Sequence, residues 1–458
     1  MQTNGAEPKK PFLKREIPPA IGRIVVFLVL IATFVSLFSC SILDDLAGDG
    51  AVRRPFGDNT GPSVLDHIGE DAVAGFDRTK FARVERIFDN YSVYDYSDKE
   101  TIAAKTLAIY REYFEEKIDL SDRTAVTDAM LYSFVEALGD KYAFYRTAEQ
   151  YEDYETDMSG NFYGIGVLVH YEPDPMTVSV TEVYEDSPAE AAGFAVGDIL
   201  LEVDGAALAD LGYEAFISRV RGELGTEVKI TVLRGEERIV LTAVRGPVQE
   251  KVVRYEIRDG IGYIALTGFK DVTVEEFAKA FYACKDAGVS GVIFDLRGNP
   301  GGYLTAVVQT ISFLVPDGVQ IVSFGDYASP ISAKDGQEED QKLTVPCVVL
   351  CNENTASAGE LFTSSVRDFA SEEFGYLTAK TVGHTTYGKG IMQSSFTMSD
   401  GSAVTLTVAF YNPPSGENYH GEGITPDYPV DDDPDTEEDE QYEKALEVLT
   451  GLIAEKSN

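Results

Sequence analysis

Apolar residues along this chain recur first at helical spacing, then at strand spacing, then in an alternation of the two. Phe81, Val84, Ile87, Phe88 and Tyr91 share one helical face, as do Val126, Met130, Phe134 and Leu138, with Gly139 placed to cap the second helix. This helical segment runs to about residue 150. Between Asn161 and Pro247 the pattern shortens to strands at Val167–Val169, Val178–Val180, Ile199–Leu201, Val228–Val232 and Ile239–Leu241. A short helix near Pro188–Ala192 and a longer one near Tyr213–Val220 separate them. That length suits one compact module.

From Lys251 onward strands and helices alternate. Ile264–Leu266 reads as a strand and Val274–Ala287 as a helix. Val292–Phe294 is a strand, Gly298–Gly302 a tight turn and Leu304–Leu314 a helix. Val348–Leu350 leads through Asn352–Thr355 into a helix that starts near Ser357. This rhythm predicts a largely parallel sheet with short crossovers. Ile391–Thr397 and Ala403–Phe410 flank Ser399-Asp400-Gly401 and predict a hairpin. No internal repeat is visible.

The N-terminal pattern is of another kind. Ile24 to Leu43 carries no charge and is long enough to cross a bilayer as a helix. Lys9, Lys10, Lys14, Arg15 and Arg23 precede it and Asp44, Asp45 and Asp49 follow, which orients the first 23 residues to the cytoplasm and the rest outside. A cleaved signal peptide is one alternative. Another is a lipoprotein signal, since Leu37-Phe38-Ser39-Cys40 loosely resembles a lipobox.

Composition narrows the function. With 44% hydrophobic residues, 25 Phe and 25 Tyr, the 458-residue chain can bury two or three cores. Acidic residues outnumber basic ones 77 to 38, a formal net charge of −39 that disfavours nucleic acid as a partner. Part of that excess sits in Asp431–Glu440, read as a solvated linker before a C-terminal helix. Cys347 and Cys351 are too far apart along one strand for a disulfide, and no cysteine–histidine cluster suggests a metal. These cysteines read as small core residues.

Candidate chemistry lies in the last third. Ser357 stands at a strand-to-helix turn, which predicts an exposed hydroxyl beside helix N–H groups free to receive a negative oxygen. Asp295–Gly302 also joins a strand to a helix, and Gly301 and Gly302 let backbone approach a ligand. Lys389 sits between two glycines, and Gln393, four residues on in an extended segment, projects from the same face. A buried lysine can serve a serine as base, and a glutamine can orient its amine. His384 offers a competing base, or is an exposed loop residue; none of the four histidines belongs to a zinc pattern.

From about Phe81 to Pro429 the chain resembles the C-terminal processing peptidases, or tail-specific proteases. The resemblance rests on Tyr163-Gly164-Ile165-Gly166, Ser187–Phe194, Gly197–Gly205, Arg221–Thr226, Asp295–Gly302, the Ser357 and Lys389 segments, Pro414-Ser415-Gly416 and Gly423–Asp427, in this order. It implies Ser357 as nucleophile, Lys389 as general base and Gln393 as its orienting partner. It implies an oxyanion hole from Ala358 and a glycine of the Asn299–Gly302 turn, with Gly302 preferred to Gly301. It also implies a PDZ domain whose loop Tyr163–Gly166 takes a substrate's terminal carboxylate. Thr385 departs from the pattern, standing where a basic residue is frequent.

The expectation is an α+β multidomain protein, with an N-terminal transmembrane anchor, a helical region, a PDZ domain and an α/β crotonase/Clp-like protease core. The boundaries are a cytoplasmic tail 1–23, anchor 24–43, linker 44–72, helical region 73–159, PDZ 160–247, protease 248–430, acidic linker 431–440 and C-terminal helix 441–458. The expected substrates are proteins or peptides with free C-termini, cut outside the cytoplasm without metal or cofactor; an adaptor or a second copy is left open. Two rivals remain: a tethered PDZ scaffold that binds tails without cutting, and a crotonase-like acyl-CoA enzyme.

Overall fold

A computed structural model describes residues 62–70, 72–325, 328–334, 342–431 and 438–456. The expected anchor Ile24–Leu43, Cys40 and most of the acidic linker lie outside the described residues. Among the described residues no helix is long and apolar enough to cross a membrane. Contacts divide the chain into two units. One takes the residues up to Tyr154, Val253–Phe269 and Thr273 onward; the other takes Glu155–Val252 and Lys270–Val272.

The first unit is built on a six-stranded sheet in the order Val253–Arg258, Ile261–Leu266, Gly291–Asp295, Cys347–Cys351, Ala379–Gly383 and Tyr428–Pro429. Only the first pair is antiparallel. Gly291–Asp295 and Cys347–Cys351 are buried at every position, as expected for parallel strands covered on both faces. Alternation along the strand assigns the faces. Phe294 packs against Phe277 of helix Thr273–Asp286 and Phe362 of helix Ala358–Phe369. Its neighbour Ile293 points the other way, toward Ala445 and Leu449 of helix Glu440–Lys456. Each such aliphatic or aromatic side chain contributes about 1.5–3 kcal/mol by leaving water. Cys284, Cys347 and Cys351 are buried and free.

Ile391–Thr397 and Ala403–Phe410 form the hairpin expected from the pattern. A third strand, Phe144–Arg146, joins Ala403–Thr405. The sequence placed these three residues in the helical segment, because so short a strand has no readable period. A second difference lies at the end of the stretch expected to be linker. Val64–His67 is a helical turn capped by Ser63, Val64 and Ile68 are fully buried, and the Glu85 carboxylate accepts from Ser63 Oγ and Val64 N–H. Phe81, Val84, Phe88, Val126, Met130 and Phe134 share one core with Val404 and Leu406 of the hairpin. Gly139 caps its helix in the left-handed conformation (φ 75°).

The second unit holds a sheet ordered Val167–Pro173, Met176–Val183, Ile199–Val203, Glu227–Arg234, Glu237–Val244. Val180, Leu200, Val203, Ile230 and Phe216 of helix Tyr213–Val220 lie in its core. Asn161–Gly164 pairs with Gly246–Gln249, bringing the module's entry and exit together.

Candidate active site

Strands Gly291–Asp295 and Cys347–Cys351 are parallel neighbours, so the turns leaving their C-terminal ends emerge side by side. They are stitched together. Ala356 N–H donates to Asn299 O (2.9 Å), Gly298 N–H to Asn352 Oδ1 (2.9 Å) and Thr355 Oγ1 to Leu296 O (2.8 Å). Ser357 follows at φ 53°, ψ −115°, a conformation that costs a non-glycine residue about 1–3 kcal/mol. The hydroxyl is not exposed as the sequence suggested. Ser357 is fully buried, because the neighbouring turns close over the strand end, and among the described residues its Oγ makes no close hydrogen bond.

Glu360, three residues into the same helix, organises the surroundings. Its Oε2 accepts from the N–H groups of Ser357 (2.9 Å) and Lys389 (2.7 Å). Its Oε1 accepts from Gly388 N–H (2.6 Å) and Thr386 Oγ1 (2.6 Å). Burial pushes this carboxyl above its ordinary pKa, while the four donors pull it back. One carboxylate thus fixes the serine turn and the lysine segment against each other. The sequence signal was present as the Ser-x-x-Glu spacing of a capping box, although Glu360 was not singled out.

Lys389 is buried. Its Nζ donates to Gln393 Oε1 (2.8 Å) and lies 4.9 Å from the centre of the Tyr142 ring. Gln393 Nε2 in turn donates to the Tyr142 carbonyl. Tyr411 Oη donates to Lys389 O (3.1 Å), steadying the main chain. Desolvation brings the amine down to about 7, against the pull of Asp140 and Glu360. Tyr142 was missed at the sequence level. It lies almost 250 residues upstream, and nothing local marks it.

Gly301 and Gly302 differ in what their N–H groups can do. Gly301 N–H is taken by Asn299 Oδ1 (2.8 Å). Gly302 bridges Phe269 through its neighbours, Phe269 N–H donating to Gly301 O and Tyr303 N–H to Phe269 O. Its own N–H therefore points the opposite way, and a Cβ there would sit 1.9 Å from Phe269 O. Among the described residues neither Gly302 N–H nor Ala358 N–H has a hydrogen-bond partner. Gly423–Asp427 clasps the lysine segment from outside: Ile424 N–H donates to Thr386 Oγ1 (2.8 Å), and Asp427 accepts from Thr381.

His384 is half exposed near Glu353 and Asp431, on a surface loop. In the second unit Tyr163 is exposed and Ile165 buried. The N–H groups of Ile165 and Gly166 have no partner among the described residues, while their carbonyls accept from Ala189 and Tyr184. That leaves a short donor-lined turn.

Comparisons with known proteins agree with this division. Residues 260–430 match peptidase family S41 and residues 179–234 match the PDZ domain. A probable CtpA-like serine protease of Staphylococcus haemolyticus is 33% identical over 305 residues, which cover 66% of this chain and 59% of the relative. Its counterpart from Staphylococcus saprophyticus is 30% identical over 343 residues, covering 73% of this chain and 67% of that one. The photosystem II D1 C-terminal processing protease aligns at 25% identity and a TM-score of 0.45, covering 77% of this chain and 92% of the other. The chain belongs to peptidase family S41 and carries a PDZ domain.

Two stability measurements follow from the geometry. Ser357→Ala removes a buried, unpartnered hydroxyl, so thermal or denaturant unfolding is expected to show stability unchanged or raised by about 1 kcal/mol. A fall of that size would mean the hydroxyl is bonded after all. Glu360→Gln turns one acceptor oxygen into a donor facing two donors, and is expected to cost about 3 kcal/mol in the same assay. Wild-type stability in that variant would remove Glu360 as the organising group.

Proposed function

We propose that this chain is a serine endopeptidase that cuts proteins near their C-termini outside the cytoplasm. Ser357 is the nucleophile, Lys389 the general base, Gln393 its orienting partner, and the N–H groups of Gly302 and Ala358 the oxyanion hole. The PDZ domain selects substrates, with the Tyr163–Gly166 turn receiving the tail carboxylate. Ile24–Leu43 tethers the protein to the membrane as a single span, or Cys40 does so through lipid. One observation carries the reading: an amine sealed from water and held near neutrality, its main chain gripped by the carboxylate that also grips Ser357.

The chemistry runs in two balanced stages. Ser357 Oγ bonds to the scissile carbonyl carbon as its proton passes to Lys389 Nζ, and the carbonyl oxygen becomes an anion facing Gly302 and Ala358. The C–N bond then breaks, and the departing nitrogen takes the proton from Lys389. An ester to Ser357 remains. Water adds to that ester while Lys389 accepts one of its protons; the bond between Ser357 Oγ and the acyl carbon breaks, Lys389 returns the proton to Oγ, and the product leaves as a carboxylic acid that ionises in solvent. The serine hydroxyl and the amine share no hydrogen bond in the free protein. Catalytic hydrogen bonds commonly tighten only once substrate is seated.

The lowered lysine pKa sets the sign of the pH dependence. Below about 7 the amine holds its proton and cannot take one from serine; above it, the amine is free. Peptide kcat/KM is expected to rise through neutrality and level off on the alkaline side, and to vanish in Lys389→Ala. A flat profile between about pH 5.5 and 8.5 would exclude Lys389 as base. For tail selection, the test is a matched pair of peptides with free and amidated C-termini, cuts being located by mass spectrometry. Faster cutting of the free form is expected. Binding without cutting would favour a scaffold, and thioester turnover in its place an acyl-CoA enzyme.

A further inference from the structure

Glu360 holds the N–H groups of Ser357 and Lys389, and a pair of tyrosines meets the carbonyl groups of the same two residues. Tyr411 Oη donates to Lys389 O (3.1 Å). Tyr419 Oη lies 3.0 Å from Tyr411 Oη and 3.5 Å from Ser357 O, so its single proton is shared between them and the nearer bond is the stronger. Among the described residues Ser357 O also accepts from Leu361 N–H of its own helix, whereas Lys389 O has Tyr411 as its only partner. The side chain of Ser357 is a further polar neighbour of the Tyr411 phenol.

The chain is shaped to bring the two phenols together. Tyr411 directly follows the hairpin strand Ala403–Phe410, and its N–H reaches back to Gly390 O (3.4 Å). The segment then turns at Pro413–Gly416, where Gly416 N–H donates to Pro413 O (2.9 Å). Asn418 Nδ2 donates to Gly390 O (3.0 Å) and to Tyr411 O (2.6 Å). That returns Tyr419 to lie edge-on against Tyr411, with ring centres 6.0 Å apart. Pro414-Ser415-Gly416, which no step of the reaction uses, lies within this turn. Both rings are buried, and burial pushes both phenols well above their ordinary pKa. They stay neutral wherever Lys389 titrates, so they hold hydrogen bonds without competing for the serine proton.

A general base works only when the proton it takes comes within hydrogen-bond reach, and a misplacement of about 1 Å costs rate steeply. Glu360 fixes the main chain on the amino side of each residue. A residue held on one side can still pivot about it. We propose that Tyr411 and Tyr419 are positioning residues that fix the carbonyl side and so set the reach between Ser357 Oγ and Lys389 Nζ, with Tyr419 acting through Tyr411. That role rests on the reading of Ser357 as nucleophile and Lys389 as base. Neither phenol forms or breaks a covalent bond to carbon in the reaction.

The test uses the full-length protein and a peptide substrate with a free C-terminus, rates being read against concentration and pH. Near-UV circular dichroism at the assay temperature counts the folded molecules. In Tyr411→Phe, kcat per folded molecule is expected to fall about tenfold while KM stays within about twofold of the wild-type value. The pH midpoint is expected to stay at about 7, because Asp140, Glu360, Lys141, His420 and the Tyr142 ring still surround the amine. Tyr419→Phe keeps the bond to Lys389 O and is expected to lose about threefold in kcat, which reads the same effect should the first variant not fold. The double variant is expected to be no slower than Tyr411→Phe alone, as for residues that act as one unit. Wild-type kcat per folded molecule in either single variant would overturn the proposal. So would losses that multiply in the double variant, or a displaced pH midpoint, which would mark an effect on the amine's proton and not on its place. Absence of any cut by the wild-type protein would instead overturn the peptidase reading, and the positioning role with it.

Discussion

The two oxygens of the Glu360 side chain accept four hydrogen bonds in a space that water does not reach, and the rest of the site is arranged around that fact. Ser357, Thr386, Gly388 and Lys389 come from two segments that share no secondary-structure element, and this carboxylate is where they meet. A buried carboxylate is tolerable only when its lone pairs are filled. The donors therefore cannot drift without leaving a charge unpaired. Position is enforced here by the penalty of breaking the arrangement, more than by any single favourable contact.

Around that anchor the protein accepts several unfavourable features close together. Ser357 is held in a conformation that L-residues avoid, its hydroxyl is buried without a close hydrogen bond among the described residues, and Lys389 has lost its hydration. Each is a local loss, concentrated in the two segments that Glu360 holds against each other. The sheet beneath supplies the compensation. Its central strands are buried along their whole length and gripped on both faces, by Phe277 and Phe362 on one side and Leu449 on the other. Ser357 sits just beyond the end of one of these buried strands, Cys347–Cys351.

Much of this was legible along the chain, for local reasons. The hairpin at Ile391–Phe410, the buried strand Cys347–Cys351 and the helix Tyr213–Val220 follow from patterns complete within a dozen residues. Gln393 meets Lys389 because extended residues an even number apart share a face. Other features had no local signature. The strand Phe144–Arg146 exists only because the hairpin offers an edge to pair with, and the turn Val64–His67 only because Glu85 and a hydrophobic core receive it.

The sequence by itself determined the order of most elements and the residue types gathered at the candidate site: a serine, a lysine, a glutamine and two glycines in fixed spacing. These are properties of short segments, encoded by periodicity and turn residues. Only the tertiary structure decided burial and partnership. It turned an expected exposed serine into an enclosed one, gave Gly301's N–H to Asn299 while leaving Gly302's without a partner among the described residues, and set Tyr142 against an amine far along the chain. Solvent exclusion and hydrogen-bond competition depend on every chain segment that converges on a point, so no stretch of sequence contains them alone.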